Sequence, residues 1–419
     1  FFFKQKTAYE IKECDWSSDV CSSDLELERH GYRVDPKDPA FFSPFPDGRH
    51  LFMWQDRAKT LAEIAKFSKK DAETYPKYEA HLERLAIVAE SLLLTTPPEF
   101  PPAGIGDFID YLKLLGKLKG LSKSELVGLV RIFTQSASDF LDEWFESEEV
   151  KVTLATDGVI GANGGPRSPG TAYILLHHCM GGVNGHRGLW GFVRGGMGSV
   201  SNAIADSARA AGAEIRVNAP VERILVSNGR AAGVVLRGGE EIAASIVASN
   251  LDPRRTFLHL VDTKELPTDF VDGIRKFRTE GTSLKMNLAL RGLPEFKALP
   301  GAPGPQHGAT MHICPSVEYV ERAWDDAKYG RPSRNPLIEM TIPTMYDASL
   351  APAGHHIMGI FLQYAPYTLK GTTWDAEREP YTERVLDVIE EYCPNIRSIV
   401  VERQTLSPWD LEQRFGITG

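Results

Sequence analysis

From Arg194 to Asp252 the chain reads RGGMGSVSNAIADSARAAGAEIRVNAPVERILVSNGRAAGVVLRGGEEIAASIVASNLD, and no other stretch restricts the fold as strongly. Gly195 and Gly196 lead into Ser199–Ala211, an alanine-rich run in which Val200, Ile204, Ala208 and Ala211 recur at helical spacing. Gly212 stands where such a helix ends, because glycine enters the left-handed backbone region without a Cβ penalty. Beyond it the pattern predicts four short strands: Glu214–Val217, Val221–Ser227, Ala231–Leu236 and Glu241–Ala248. The clusters Ser227-Asn228-Gly229 and Arg237-Gly238-Gly239 punctuate them as turns. A helix feeding a strand, a small β excursion and an apolar strand closing on Ala248-Ser249-Asn250 describe one half of a nucleotide-binding α/β domain. The same pattern also suits any α/β domain with a β-meander insert.

Composition narrows the class without naming a chemistry. The chain has 419 residues, 42% hydrophobic and 25% charged, the proportions of an ordinary soluble globular protein. A net charge of −9 offers no electrostatic footprint for nucleic acid. No apolar run reaches the roughly 18–20 residues that span a bilayer, although an apolar surface patch touching a membrane is compatible with the sequence. Five cysteines occur, none in a C-x-x-C pair, so neither zinc binding nor dithiol redox chemistry is signalled. Cys179, Cys314 and Cys393 read as reduced core thiols.

Residues 1–25 stand apart. Asp15–Leu25, DWSSDVCSSDL, is what one frame of a widely used sequencing-library adapter encodes, and Lys4–Ile11, KQKTAYEI, matches its other portion. We therefore expect this segment to lie outside the fold. Ala40–Trp54 predicts two short strands around a Pro46-Asp47-Gly48 turn. Asp56 and Ser68 are helix caps, and apolar positions from Tyr75 to Leu92 recur at helical spacing until the Pro97-Pro98 and Pro101-Pro102 pairs. Further helices are expected at Phe108–Lys119, Ser124–Phe133 and, capped by Ser138, Asp139–Thr153.

Asp157–Arg194 is glycine-rich and reads as a loop-strand segment, with Trp190 and Phe192 as aromatic walls of a cavity. Adjacent His177 and His178 point apart and have no second ligand cluster, so no metal site is expected. Gly281–Leu290 alternates, with Leu284, Met286 and Leu288 on one face and Ser283, Lys285 and Asn287 on the other. Met311–Val317, Leu337–Thr344, His355–Tyr364 and Ile399–Leu406 supply further strands, and Tyr381–Tyr392 an amphipathic helix.

These segments together resemble the phytoene desaturase-like branch of the amine-oxidase flavoprotein superfamily, over nearly all of Glu26–Gly419. The resemblance rests on Gly195-Gly196-Met197 opening a helix, Gly212–Ile215 opening a strand and the Val221–Ile224 strand after it. It implies an α/β fold: an FAD-binding Rossmann-like domain of the glutathione-reductase type, a mixed α+β substrate domain and a helical insertion capping the cavity. Residues 26–190 would form the cap and substrate side, 191–262 the return crossing of the FAD domain, and 263–419 the substrate-domain sheet. A purely packing role for the helical insertion is the alternative.

The resemblance also implies FAD as cofactor and a small, largely apolar or amine-type substrate. Gly195, Gly196, Met197 and Val221 would bind the cofactor, Val221 through its backbone beside the adenine. Gly281 and Lys285 keep the family's G-x-x-x-K spacing, whose lysine holds a water at the flavin N5. A solvent-facing lysine on an edge strand is the other reading of Lys285. No G-x-G-x-x-G follows a strand in this chain, so the first dinucleotide-binding unit and a C-terminal flavin-contacting segment are expected beyond its ends. The expected activity is removal of a hydride equivalent, in the cytoplasm of a bacterium or the mitochondrial matrix of a eukaryote. A non-enzymatic, flavoprotein-like scaffold is the competing expectation, and a nicotinamide dehydrogenase a weaker one.

Overall fold

The computed structural model describes residues 25–93, 101–102, 104–180, 182–183, 186–187 and 190–419. The adapter-like segment up to residue 24 and the Pro97-Pro98 pair lie outside the described residues.

A seven-stranded sheet runs in the order Val400–Leu406, Ser283–Leu290, His356–Gln363, Leu337–Thr341, Thr310–Ile313, Phe41–Pro44, His50–Met53. All neighbours are antiparallel except Thr310–Ile313 with Phe41–Pro44, which are parallel. The expected hairpin around Gly48 therefore shares one sheet with the C-terminal strands. Strand alternation gives this sheet two unlike faces. On one, Leu284, Met286, Leu288, Met311, Ile338, Met340, Met358, Ile360 and Leu362 form a dry layer with Tyr381, Val385 and Ile389. These last three lie on the helix Trp374–Tyr392, which begins a full turn or more before the expected Tyr381 and carries Pro380 inside it.

The helical region packs on the other side of the hairpin. Asp56 caps Arg57–Ala65 by accepting from the amides of Ala58 and Lys59, and the Ser68 hydroxyl accepts from Asp71 N ahead of Lys69–Leu93. Helices Ile105–Leu118 and Lys123–Thr134 follow, the second closed by a Ser122–Glu125 capping box. Instead of one helix over Asp139–Thr153 there are two, Ala137–Asp142 capped by Ser136 and Glu148–Ala155. The cause is distant in sequence. The buried Asp71 carboxylate accepts from the amides of Glu146 and Ser147, each at 2.9 Å, and so interrupts the helical ladder there. Asp157–Arg194 also differs from expectation, because it holds a helix at Thr171–His178.

The elements expected over Arg194–Asp252 form only in part. Helix Gly198–Ala210 forms, and Val221–Ser227, Arg230–Leu236 and Glu241–Ala243 make a three-stranded antiparallel sheet. Glu214–Val217 is not a strand, and the last strand stops at Ala243 rather than Ala248. Glu214–Val217 pairs with no strand among the described residues, and past Ala243 the Ala244 amide alone still donates to the neighbouring strand, at the Ala232 carbonyl, so neither segment is held as sheet. Val217 and Ile246 are accordingly exposed. The molecule is of mixed α/β class.

Candidate active site

The second face of the large sheet is polar where the first is apolar. The register sets Leu406, Lys285, Phe361, Glu339 and His312 opposite one another in a row across five strands. The next row is Gln404, Asn287, Gly359 and Thr341, with Asn287 Nδ2 donating to Gln404 Oε1 at 3.2 Å. Lys285 is half-buried and on the face expected from its alternation with Leu284 and Met286. It does not lie on an edge strand, since strands pair on both of its sides. Its Nζ leans over Gly359, where a Cβ would stand only 2.9 Å from it.

Over the middle and far strands the helical region closes on this face. Gln363 Nε2 donates to the Val159 carbonyl at 2.6 Å, and Gly161 N donates to Gln363 Oε1 at 3.2 Å. His312 is fully enclosed, with Nδ1 3.5 Å from Thr156 Oγ1. Its Nε2 lies 3.4 Å from Glu339 Oε2, close enough for an ion pair with a protonated ring yet not aligned as a hydrogen bond. Nearby, the buried Lys37 Nζ donates to Thr310 Oγ1 at 2.5 Å and sits 5.9 Å from the Trp190 ring and 5.6 Å from that of Phe192. The two expected aromatic walls thus flank a lysine.

Gly195, Gly196 and Met197 lie at the turn before helix Gly198–Ala210, where both glycines hold positive φ, 78° and 82°. Gly195 N donates to Asp347 Oδ2 at 2.7 Å, and Arg194 forms a two-pronged pair with Asp35. Phe192 packs on Tyr346, with ring centroids 5.1 Å apart. These contacts tie the glycine turn to the Tyr346–Asp347 loop. Val221 is on the separate three-stranded sheet, paired with Leu236. A cleft of about 470 Å³ opens beside it, lined by Val217, Asn218, Pro220 and Arg237 among others. No described contact joins Val221 to Lys285 or to the glycine turn.

His312, Glu339, Gly359 and Lys37 escaped the sequence reading. For Glu339 a signal existed, a lone carboxylate inside the apolar strand LIEMT. For Lys37 and Gly359 there was none, because their roles come from strands far away in sequence. His177 and His178, on one helix, turn their rings 84° apart, and no His, Cys, Asp or Glu cluster among the described residues could hold a metal. Burial pushes the thiols of Cys314 and Cys393 well above their ordinary value, which leaves them unreactive.

The charge and polar groups of this face suit a polar cofactor. Gly359 leaves a notch that a side chain would fill, Lys285 supplies a cation beside it, and the enclosed His312 Nε2 has no hydrogen-bond partner.

Residues 48–376 match the model of flavin containing amine oxidoreductases. The chain is 40% identical over 418 residues to "Pyridine nucleotide-disulfide oxidoreductase domain-containing protein 2" of Rattus norvegicus, covering 95% of this chain and 72% of that protein. It is 23% identical over 404 residues to a neurosporene-forming phytoene desaturase of Cereibacter sphaeroides, covering 93% and 71%. In fold it is similar to an oxidoreductase from Methanosarcina mazei, with a TM-score of 0.53 at 16% identity over 92% of this chain and 73% of that one. The chain belongs to the flavin-containing amine oxidoreductase family, whose cofactor is FAD.

Proposed function

We propose that the polar face of the large sheet is the flavin-facing floor of an oxidoreductase that takes a hydride equivalent from a largely apolar or amine-type substrate. The observation that carries this is the Lys285 ammonium lying over the Gly359 notch, on a face backed by a fully apolar layer. When bound, FAD supplies the hydride-accepting chemistry. The chain's part is to orient, to exclude water and to place charge. Lys285 would hold a water and a positive charge against the ring, in a layer where the surrounding burial strengthens both. Phe361 beside it supplies apolar contact for a substrate carbon skeleton. His312 and Glu339 would receive a polar or amine group of the substrate at the enclosed end of the row.

Val221 would contact the adenine end through its backbone, and Gly195, Gly196 and Met197 would let the chain approach the cofactor closely. The glutathione-reductase-type arrangement of the FAD unit, with residues 191–262 as its return crossing, belongs to the same proposal.

The test is anaerobic reduction of a flavin-loaded preparation by a panel of amines and of apolar, desaturable compounds, read as bleaching of the flavin absorbance. Bleaching by a member of either class, slowed at least about tenfold in Lys285→Met, is the expected result. Stable flavin binding without reduction by any of them would favour a binding scaffold instead.

A further inference from the structure

Away from the sheet, helix Ile105–Leu118 is turned inside out. None of its 14 residues is buried. Ile105, Phe108, Ile109, Leu112 and Leu115 occupy one face at i, i+3, i+4, i+7 and i+10, and are between 46% and 82% exposed. The stripe that turns inward, toward helix Lys69–Leu93, is the more polar one: Asp107, Asp110, Tyr111, Leu114 and Leu118. The next helix, Lys123–Thr134, buries Leu129 and Ile132 but exposes Leu126, Val127, Val130 and Phe133. Exposed apolar strips of this kind mark a surface that is covered in use.

Charge indicates what covers it. Lys119 and Lys123 stand exposed at the end of the helix and after its turn, while Lys113 pairs with Asp110 at 2.7 Å and Lys117 Nζ donates to the Ser91 carbonyl; the acids Asp107 and Asp110 lie in the first half. This is a local cationic excess in a chain of net charge −9. Lysines bordering an apolar stripe can lay their methylene stems along it and keep the ammonium groups at phosphate level. A second copy of the chain is a poorer occupant. The two helices together expose nine apolar residues here, against about 20–30 residues and 800 Å² per partner in a stable interface.

We propose that Ile105–Leu118 is an interfacial anchor that lies in the surface of an anionic lipid bilayer. Its apolar side chains enter the acyl boundary, and Lys119 with Lys123 after it faces the headgroups. The contact rests on the membrane and does not cross it, since no helix among the described residues is long and apolar enough to span. The proposal is independent of the flavin chemistry, because vesicle binding is read without cofactor or substrate.

The experiment is flotation of the full chain with phosphatidylcholine vesicles, with and without phosphatidylglycerol, alongside light scattering for oligomeric state. The variants are Phe108→Glu/Leu112→Glu and Lys119→Glu/Lys123→Glu, all at exposed positions, so thermal melts matching the parent establish that folding is intact. The parent should float with anionic vesicles, the apolar double variant about tenfold less, and the lysine variant less on anionic but equally on neutral vesicles. No flotation of the parent, or equal flotation of the apolar variant, overturns the proposal. So does a parent dimer that the apolar variant converts to monomer with no vesicle binding by either.

Discussion

The Lys285 side chain lies across Gly359 on the neighbouring strand, so closely that a Cβ at 359 would stand 2.9 Å from Nζ and 3.5 Å from Thr341 Oγ1. Gly359 does not hold a left-handed backbone, so what this position requires is space rather than conformational freedom. Gly359→Ala should fold and yet displace the ammonium. If the two residues act together, turnover of the flavin-loaded protein should fall in Gly359→Ala and in Lys285→Met, and no further in the double variant. Additive losses would separate them.

Lys285→Met keeps the side-chain length and removes the charge. Because Lys285 belongs to the polar face and contributes nothing to the apolar layer, the melting temperature should change little. Flavin reduction or reoxidation should slow by at least about tenfold, ~1.4 kcal/mol of barrier. Unchanged stopped-flow kinetics would return Lys285 to a packing role.

Val221 begins its strand half-buried, with a register irregularity directly after it. If it meets the adenine through its backbone, Val221→Ala should weaken FAD only mildly. Val221→Pro, which deletes the amide hydrogen, should weaken it strongly. Flavin retained after desalting gives the comparison, and equal retention by the two variants contradicts the assignment.

Asp71 is fully buried and its carboxylate serves two amides and the Ser147 hydroxyl. Asp71→Ala strands these donors and should cost roughly 2–4 kcal/mol, measured as a shift in the denaturation midpoint. A loss within a few tenths of a kcal/mol would show that water replaces the carboxylate freely.

The glycine turn should respond to acid in a defined direction. Hydrogen bonding to Arg194 holds the Asp35 carboxyl below its ordinary 3.8, and the Gly195 amide does the same for Asp347. Groups whose folded value is depressed stabilise the fold above the unfolded value and lose that contribution as pH falls through the folded one. The stability gap between the parent and Asp35→Asn/Asp347→Asn should be constant near neutrality and close below about pH 3.8, in urea melts. A gap that persists at lower pH would mean that the carboxylates are not what secures the turn.

Much of the architecture could be read locally. Hydrophobic alternation marked Gly281–Leu290 as a strand, observed over Ser283–Leu290, and put Leu284, Met286 and Leu288 on one face, which the structure buries. The side-chain oxygens of Asp56 and Ser68 marked helix starts, and Gly48 the hairpin turn, because caps and turns need only a few neighbouring residues. Gly195-Gly196-Met197, Gly212–Ile215 and Val221–Ile224 carried the flavoprotein resemblance, which the family match supports.

What only tertiary structure decided depends on partners distant in sequence. Two helices replace one over Asp139–Thr153 because Asp71, on another helix, takes the amides of Glu146 and Ser147. Glu214–Val217 has strand-like composition and stays irregular, since a strand is held by its neighbour's backbone and none pairs with it among the described residues. The row Lys285, Phe361, Glu339 and His312 comes from the register of four strands, each set by pairing across tens of residues. A chain's own period says which face a side chain takes. Pairing with distant backbone decides what it meets there, and that is why Lys285 could be singled out from sequence while Gly359, on which it rests, could not.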